Sequence, residues 1–205
     1  MIRTARHALA GAALAAVVGA ATVARADEGE RIVRFAAGPT YLHESWHATD
    51  GSGDAVHKGW GPALDISIGE FVQPRLVLAG SLHLAGIINR DETTDGVTYP
   101  LDDTIHFVDA FLVLIDFYPK PVGLHEGGGI GIAAITELDT HMGSAQTNFG
   151  LVAEAHVGYE RLVSKRWSAG GVLRLSFFHY LSDTPRPASS SFGVLTTLMA
   201  SFSYR

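Results

Sequence analysis

The connections between strand-length segments of this chain alternate strictly between short and long. From residue 31 onward, eight apolar runs are separated by turn-rich polar segments, at approximately 31–43, 58–72, 75–88, 104–118, 122–135, 148–162, 166–180 and 191–204. Three connections, at 73–75, 119–121 and 164–165, are very short, and the four others are long and polar. An up-and-down barrel whose rims face different environments requires this pattern. Transmembrane barrels have short periplasmic turns, long extracellular loops and an even strand number from eight upward.

The runs themselves have the period of β-strands. In the segment 148–160, Leu151, Ala153 and Val157 alternate with Glu154 and His156, which is typical of a sheet with one apolar face. Each run exceeds the roughly 9–11 residues that a tilted strand needs to cross the hydrocarbon layer. Because lipid cannot satisfy an open sheet edge, such strands have to close into a barrel. The sequence therefore predicts an all-β, eight-stranded antiparallel transmembrane barrel.

Aromatic residues cluster near both ends of these runs, as expected for interfacial girdles. The predicted inner girdle is Phe71, Phe117, Tyr118, Tyr159, Trp167 and Tyr204, and the predicted outer girdle is Tyr41, Trp60, Phe107, Phe149, Phe177, Tyr180 and Phe192.

The first 26 residues have the organisation of a cleaved signal peptide. Arg3 and Arg6 precede an Ala-rich apolar run, and Ala24-Arg25-Ala26 places small residues at the two positions that a signal peptidase reads. We expect residues 1–26 to be removed and residues 27–205 to form the barrel domain. The mature chain then has 12 basic and 21 acidic residues, a formal net charge of −9. Such an acidic chain is unsuited to nucleic acid, and without cysteine it forms neither disulfides nor thiolate metal sites.

The export signal, the eight-run meander and the final segment "LMASFSYR" together resemble small bacterial outer-membrane β-barrel proteins. Leu198, Ala200, Phe202 and Tyr204 keep the alternation of that family's last strand, although Arg205 follows the aromatic residue. The resemblance implies a location in the cell outer membrane, contact with its lipid and lipopolysaccharide, and insertion by the barrel assembly machinery. It also implies a monomer without a cofactor.

The segment 126–134, "EGGGIGIAA", has the spacing of a dinucleotide-binding glycine loop. Such a loop must lie between a strand and a helix so that backbone N–H groups meet the phosphates. The polar segment 136–147 that follows indicates a loop rather than a helix. We therefore interpret Gly127, Gly129 and Gly131 as inward positions that leave room for larger side chains, since an eight-stranded barrel has a narrow interior.

Seven charged or histidine residues are predicted to face the lumen: Asp65, His83, Asp116, His125, Glu154, His156 and Arg174. Tight hairpins centred on Pro74 and Ser164 would place Asp65 opposite His83 and Glu154 opposite Arg174. Buried charges persist when they are paired, so these residues are expected to form a network that fills the lumen. A narrow channel through the same residues is the alternative. Asp109 falls on the lipid-facing side, which is unfavourable unless it lies near the rim or a bulge shifts the register, and the sequence leaves these two alternatives open.

Catalytic and metal sites find weak support in the sequence. His43, His47 and His57 lie near Glu44, Asp50 and Asp54, but no fixed metal-ligand spacing occurs. His43 and Ser45 form a His-x-Ser pair like that of outer-membrane lipid hydrolases, but near the start of the chain, whereas that family has it late. A soluble, lipocalin-like ligand carrier would need the apolar face inside. We therefore predict a non-enzymatic barrel with a structural or surface-interaction role.

Overall fold

A computed structural model describes residues 30–48, 54–101, 103–119, 123–182 and 189–205. The predicted signal peptide and Asp50 lie outside these ranges. The described residues contain ten strands: β1 Arg31–Ala48, β2 Asp54–Gln73, β3 Leu76–Ile87, β4 Asn89–Thr94, β5 Val97–Pro100, β6 Thr104–Phe117, β7 Leu124–Asp139, β8 Ser144–Leu162, β9 Trp167–Ser182 and β10 Ser189–Tyr204. No helix among them is long and apolar enough to cross a membrane.

Eight of these strands form a closed antiparallel ring. The order runs β1-β10-β9-β8-β7-β6-β3-β2, and pairing between β1 and β2 closes it. The predicted eight-stranded up-and-down barrel is therefore confirmed. The register of the pairs shows how far the strands are staggered around the ring. A path of paired residues that starts at Asp65 of β2 returns to β2 at Ala55, ten residues away. It passes through His83, Ala110, Ala133, Gly150, Tyr180, Ser191 and Trp46. This stagger, the shear of the barrel, makes the strands tilt relative to its axis.

The second long connection contains an additional hairpin that the sequence analysis did not predict. Strand β4 continues the direction of β3 beyond Ile88 and pairs with β2, and β5 returns antiparallel to β4. Asp95 and Gly96 form its two-residue turn, with φ values of 52° and 78°. An Asp-Gly turn of this kind matches the twist of the flanking strands. The hairpin extends beyond the eight-stranded ring at the long-loop rim.

The exterior of the ring is apolar and its interior is polar. Exposed fractions reach 71% for Ile130 and Leu151 and 60% for Leu198, whereas Asp65 and Arg174 are 1% exposed. This is the arrangement of a barrel that meets lipid, and the opposite of a soluble carrier with an apolar lumen. Within the predicted girdles three assignments are wrong, because Phe71 of β2, Tyr180 of β9 and Tyr118, which follows the last residue of β6, point inward.

The register of the β8–β9 hairpin differs from the prediction. Leu162 pairs with Ser168, and the Val163 amide donates to the Trp167 carbonyl at 2.9 Å, so the turn is centred on Lys165 rather than Ser164. His156 therefore lies opposite Arg174, and Glu154 lies opposite Ser176. The predicted Glu154–Arg174 alignment is wrong by two residues. Because a two-residue shift preserves the face of a strand, both side chains still point inward. The predicted pairing of Asp65 with His83 is observed.

Asp109 lies on the exterior. Its strand pairs without interruption with Leu84 of β3 and Ala134 of β7, so no bulge turns it inward. Phe107, two residues nearer the long-loop rim on the same face, is 37% exposed. Asp109 therefore lies one exterior position inside the outer aromatic girdle.

The glycines of strand β7 leave room for the β6 strand and for lumen side chains. A Cβ atom on Gly127 would lie 2.3 Å from Asp116 Oδ1 and 2.8 Å from His156 Nε2, and one on Gly129 would lie 2.5 Å from Leu114 Cδ2. No helix follows these glycines. Strand β7 instead continues to Asp139, and β8 begins at Ser144, so most of the segment expected to be a loop is strand. The strand–loop–helix context of a nucleotide-binding loop is absent from this described segment.

Candidate functional site

The barrel lumen holds the candidate site, and the structure places all seven predicted residues inside it. Arg174 of β9 lies at the centre, where its Nη1 donates to Asp65 Oδ2 at 2.7 Å and forms an ion pair with Glu154 Oε2 at 3.2 Å. Ser81 also donates to Asp65 Oδ2 at 2.6 Å. His83 completes this group, because its Nδ1 lies 3.3 Å from Arg174 Nη1. Four strands are thereby connected across the lumen.

His156 connects this central group to the short-turn end of the barrel. Its Nε2 lies 2.6 Å from Asp116 Oδ1 and its Nδ1 lies 3.0 Å from Glu154 Oε1. A carboxylate can only accept hydrogen bonds, so both ring nitrogens have to carry protons when both acids are ionised. The arrangement therefore favours an imidazolium between two carboxylates. Gly127 makes this contact possible, because it has no Cβ to separate Asp116 from His156.

Arg34 is a central residue of the lumen that the sequence analysis missed. Its Nη2 donates to Asp116 Oδ2 at 3.0 Å and to the Tyr118 hydroxyl, and its Nε forms an ion pair with Glu160 Oε1 at 3.3 Å. Glu160 also accepts hydrogen bonds from serine hydroxyls of the last two strands: Ser168 at 3.0 Å, Ser203 at 2.6 Å and Ser201 at 3.5 Å. The sequence does indicate its face, since Arg34 alternates with Val33 and Phe35, and Phe35 lies on the exterior.

His125 is the predicted residue with the fewest polar contacts. Its ring stacks on Tyr118 at a centroid distance of 4.9 Å, and both ring nitrogens are buried without a hydrogen-bond partner. Gly158 provides its space, because a Cβ there would lie 2.4 Å from the ring. We call Arg34, Asp65, Ser81, His83, Asp116, Tyr118, His125, Glu154, His156, Glu160 and Arg174 the inner network.

An apolar layer separates the inner network from the long-loop end of the lumen. On each of several strands, an inward polar residue near the short turns is followed by inward apolar residues and then by a second polar residue. Strand β1 has Arg34, then Leu42 and Glu44, and β9 has Arg174, then Phe178 and Tyr180. The apolar side chains are buried in one cluster, and we call seven of them the septum: Leu42, Ile87, Val108, Ile135, Val152, Phe178 and Leu195.

A second group of polar side chains lies beyond the septum, and the sequence analysis did not recognise it as a unit. Glu44 is its centre, because its Oε1 accepts hydrogen bonds from the Tyr180 and Ser191 hydroxyls, each at 2.6 Å. His57 lies between two acids, 3.3 Å from Glu44 and 3.1 Å from Glu92. The outer network consists of Glu44, His57, Arg90, Glu92, His106, Glu137, Tyr180 and Ser191.

Arg90 occupies the far side of this outer network. It contacts His106 Nδ1 at 2.7 Å through Nη1 and Glu137 Oε1 at 2.7 Å through Nη2. Although Arg90 is 3% exposed, Glu92 and Glu137 are partly open to solvent. The outer network thus forms the floor beneath the long loops.

The residues that were considered, and not favoured, for metal binding or hydrolysis are dispersed. His57 and Glu44 face the lumen, whereas His43 and Ser45 lie on the exterior and His47 forms an exposed pair with Asp54 at 2.9 Å. Within the described ranges, no three His, Asp or Glu side chains are arranged to hold a metal ion. The lumen chemistry is therefore that of ion pairing and hydrogen bonding between strands.

A closed apolar-walled ring with a charged, filled lumen defines a small transmembrane β-barrel. No protein-family model and no curated sequence matches this chain. Solved structures are similar in fold. The outer membrane protein OprG from Pseudomonas aeruginosa superimposes with a TM-score of 0.51 at 10% identity, covering 87% of this chain and 98% of that one. Neisserial surface protein A gives 0.47 at 14% identity, covering 87% and 99%. At these identities the likeness shows the fold alone.

Proposed function

We propose that the protein is a non-conducting outer-membrane barrel with a structural or surface-interaction role. The observation that carries this proposal is that two successive layers of side chains, the inner network and the septum, fill the lumen. The inner network connects β1, β2, β3, β6, β8 and β9 by direct side-chain contacts, and the septum lies between it and the outer network. The interior of an eight-stranded barrel is only wide enough to be filled by side chains. Here polar side chains fill it on both sides of the septum.

The polar networks support a structural role because each connects strands that are distant in sequence. Arg174 and Asp65 are 109 residues apart, and Glu44 and Ser191 are 147 apart. Charges buried in this way are stable only while their partners are present. The networks therefore favour one closed arrangement of the eight strands over partly open ones.

The long-loop end supports a role in surface interaction. Strands β1, β2, β7 and β8 extend beyond the septum, and the β4–β5 hairpin projects with Val97 and Tyr99 about half exposed. Among the described strands, β5 has the one open edge, which is four residues long and ends at Pro100. Short edges with proline resist pairing with other chains, which supports a monomer in lipid and lipopolysaccharide.

A catalytic role has little support in the geometry. The Ser191 hydroxyl donates to Glu44, and in the part of the chain that is described no serine hydroxyl is hydrogen-bonded to a histidine ring. The acidic residue between His43 and Ser45 is Glu44, which points into the lumen, away from both. We therefore assign no nucleophile and no general base.

Planar-bilayer recording tests this proposal directly. The purified protein, shown to be folded by its resistance to SDS without boiling, is expected to give no discrete current steps, whereas a porin inserted into the same bilayer conducts. Reproducible small steps from the folded protein would replace the proposal with the narrow channel. The eight buried polar atoms of the inner network that lack a hydrogen-bond partner are the part of the lumen that water would enter in that case.

A further inference from the structure

The turn between β8 and β9 combines three cations with exposed apolar side chains. Arg161, Lys165 and Arg166 are all exposed, and no acidic residue occurs between 161 and 167. Leu162 and Val163, at 51% and 65% exposed, lie among them. Since the turn belongs to the short-turn rim, it meets the periplasmic boundary of the membrane. Apolar side chains at such a boundary enter the lipid while cationic ends stay at the level of the headgroups.

Hydrogen bonds hold this turn in a fixed shape. The amides of Val163 and Ser164 donate to the Trp167 carbonyl at 2.9 and 3.2 Å, and the Trp167 amide donates to Ser164 Oγ at 3.2 Å. The C-terminal strand supports the turn from the side, because the Arg205 amide donates to the Arg166 carbonyl at 2.9 Å. The three cations are therefore presented from an ordered segment, Arg161 from the end of β8 and Lys165 and Arg166 from the turn.

One of the cations is fixed at the level of the inner aromatic girdle. Arg166 Nη1 donates to the Tyr204 hydroxyl at 3.0 Å, and the Tyr204 ring lies 5.1 Å from the Trp167 ring. Tyr159 and Trp167 are 59% and 44% exposed on the exterior. Aromatic residues of this kind lie at the headgroup level of a bilayer. Arg166 is thus placed where lipid phosphates lie, and Arg161 follows Tyr159 on the same exterior face of β8.

We propose that this turn is a binding site for the headgroup of an anionic phospholipid in the periplasmic leaflet. Guanidinium groups suit phosphate because their donors match its oxygens in pairs, and Lys165 adds charge next to them. The apolar side chains Leu162, Val163 and Trp167 contact the acyl chains below the same headgroup. The site goes beyond the proposed function, because it involves the opposite rim and does not depend on whether the lumen conducts.

Quenching of Trp167 fluorescence by brominated lipids tests the site. The chain has three tryptophans, so Trp46→Phe and Trp60→Phe leave Trp167 as the only reporter. This protein is refolded into phosphatidylcholine vesicles containing a fixed minor fraction of either brominated phosphatidylglycerol or brominated phosphatidylcholine. We expect phosphatidylglycerol to be preferred by about fivefold, the effect of one cation at an anionic surface. Equal quenching by the two lipids would overturn the proposal.

Charge-removing variants locate the preference. The ratio of quenching by phosphatidylglycerol to quenching by phosphatidylcholine should fall to nearly one in the triple variant Arg161→Gln, Lys165→Gln and Arg166→Gln. The control Arg75→Gln, at the β2–β3 turn, should leave this ratio unchanged. A preference that survives the triple substitution, or that Arg75→Gln abolishes equally, would contradict a site at the β8–β9 turn. Salt provides a test without substitutions, because molar salt shortens the screening length to about 3 Å. A preference that persists undiminished in molar salt would equally contradict this site.

Discussion

Individual glycines decide whether the lumen networks fit inside so narrow a barrel. Gly127 is the clearest case, because a Cβ there would lie within 3 Å of Asp116, Ile115 and His156 atoms. We expect Gly127→Ala to destabilise the protein by about 1–3 kcal/mol, the usual cost of overpacking. The free energy of unfolding in urea, measured in lipid vesicles, checks this.

Gly171→Ala is the matched control for this substitution. A Cβ at Gly171 has its nearest neighbour, the Met199 carbonyl oxygen, at 3.5 Å, which is ordinary van der Waals contact. The control should unfold like the wild type. If both variants lose the same stability, the cost comes from glycine replacement in a strand and not from the Asp116–His156 contact.

Arg174 is the residue on which the centre of the inner network depends. Arg174→Met removes the guanidinium from Asp65 and leaves Glu154 with His156 alone, and breaking a buried pair in this way costs about 3–5 kcal/mol. Asp54→Asn, which removes one partner of the exposed His47–Asp54 pair, should cost less than about 1 kcal/mol. Urea unfolding of the two variants measures the difference. Similar losses would mean that the lumen charges are hydrated and contribute little to closure.

At the scale of strands, the sequence predicted which segments form the ring, but it did not predict the β4–β5 hairpin or the contacts across the lumen. Period-two alternation located eight runs within a few residues of the ring strands, because an apolar exterior and a polar lumen impose opposite requirements on adjacent residues. The β4–β5 hairpin was missed because β4 is polar on both faces and β5 has only four residues, although Asp95-Gly96 marked its turn. Alternation indicates the inward face of Arg34 and Glu160, but it does not predict their contacts or the outer network, because contacts across the lumen depend on shear.

The register of β8 against β9 was also not predicted correctly from the sequence, and it can be tested. The chain lacks cysteine, so introduced pairs oxidise without background. Arg161 pairs with Ala169, and residues directly opposite have Cβ atoms about 4.5–5.5 Å apart, whereas diagonal neighbours are about 7–8 Å apart. Arg161→Cys with Ala169→Cys should form a disulfide faster than Tyr159→Cys with Ala169→Cys, as measured by loss of free thiols. Faster oxidation of the second pair would mean that the turn is centred on Ser164.

At the scale of the whole molecule, stability depends on closure of the ring. Strand β10 pairs with β9 on one side and with β1 on the other, along nearly its full length, and it contributes two of the serines that bind Glu160. Lipid cannot satisfy the strand edges that would be left without it. The inner network and the strand ladder therefore close the barrel together, and neither is complete until the last strand is in place.

Heat modifiability in SDS measures this closure. The full chain should migrate as a compact form without boiling and shift after boiling. A chain ending at residue 188 should show no shift, because one edge of β1 and one edge of β9 are left without a partner. The matched control removes residues 92–99 and joins Asp91 to Pro100, which are neighbours in the β4–β5 hairpin. Since that hairpin lies outside the ring, the control should keep the shift. Loss of the shift in the control as well would mean that the hairpin takes part in closure, and a shift in the chain without β10 would mean that seven strands close by themselves.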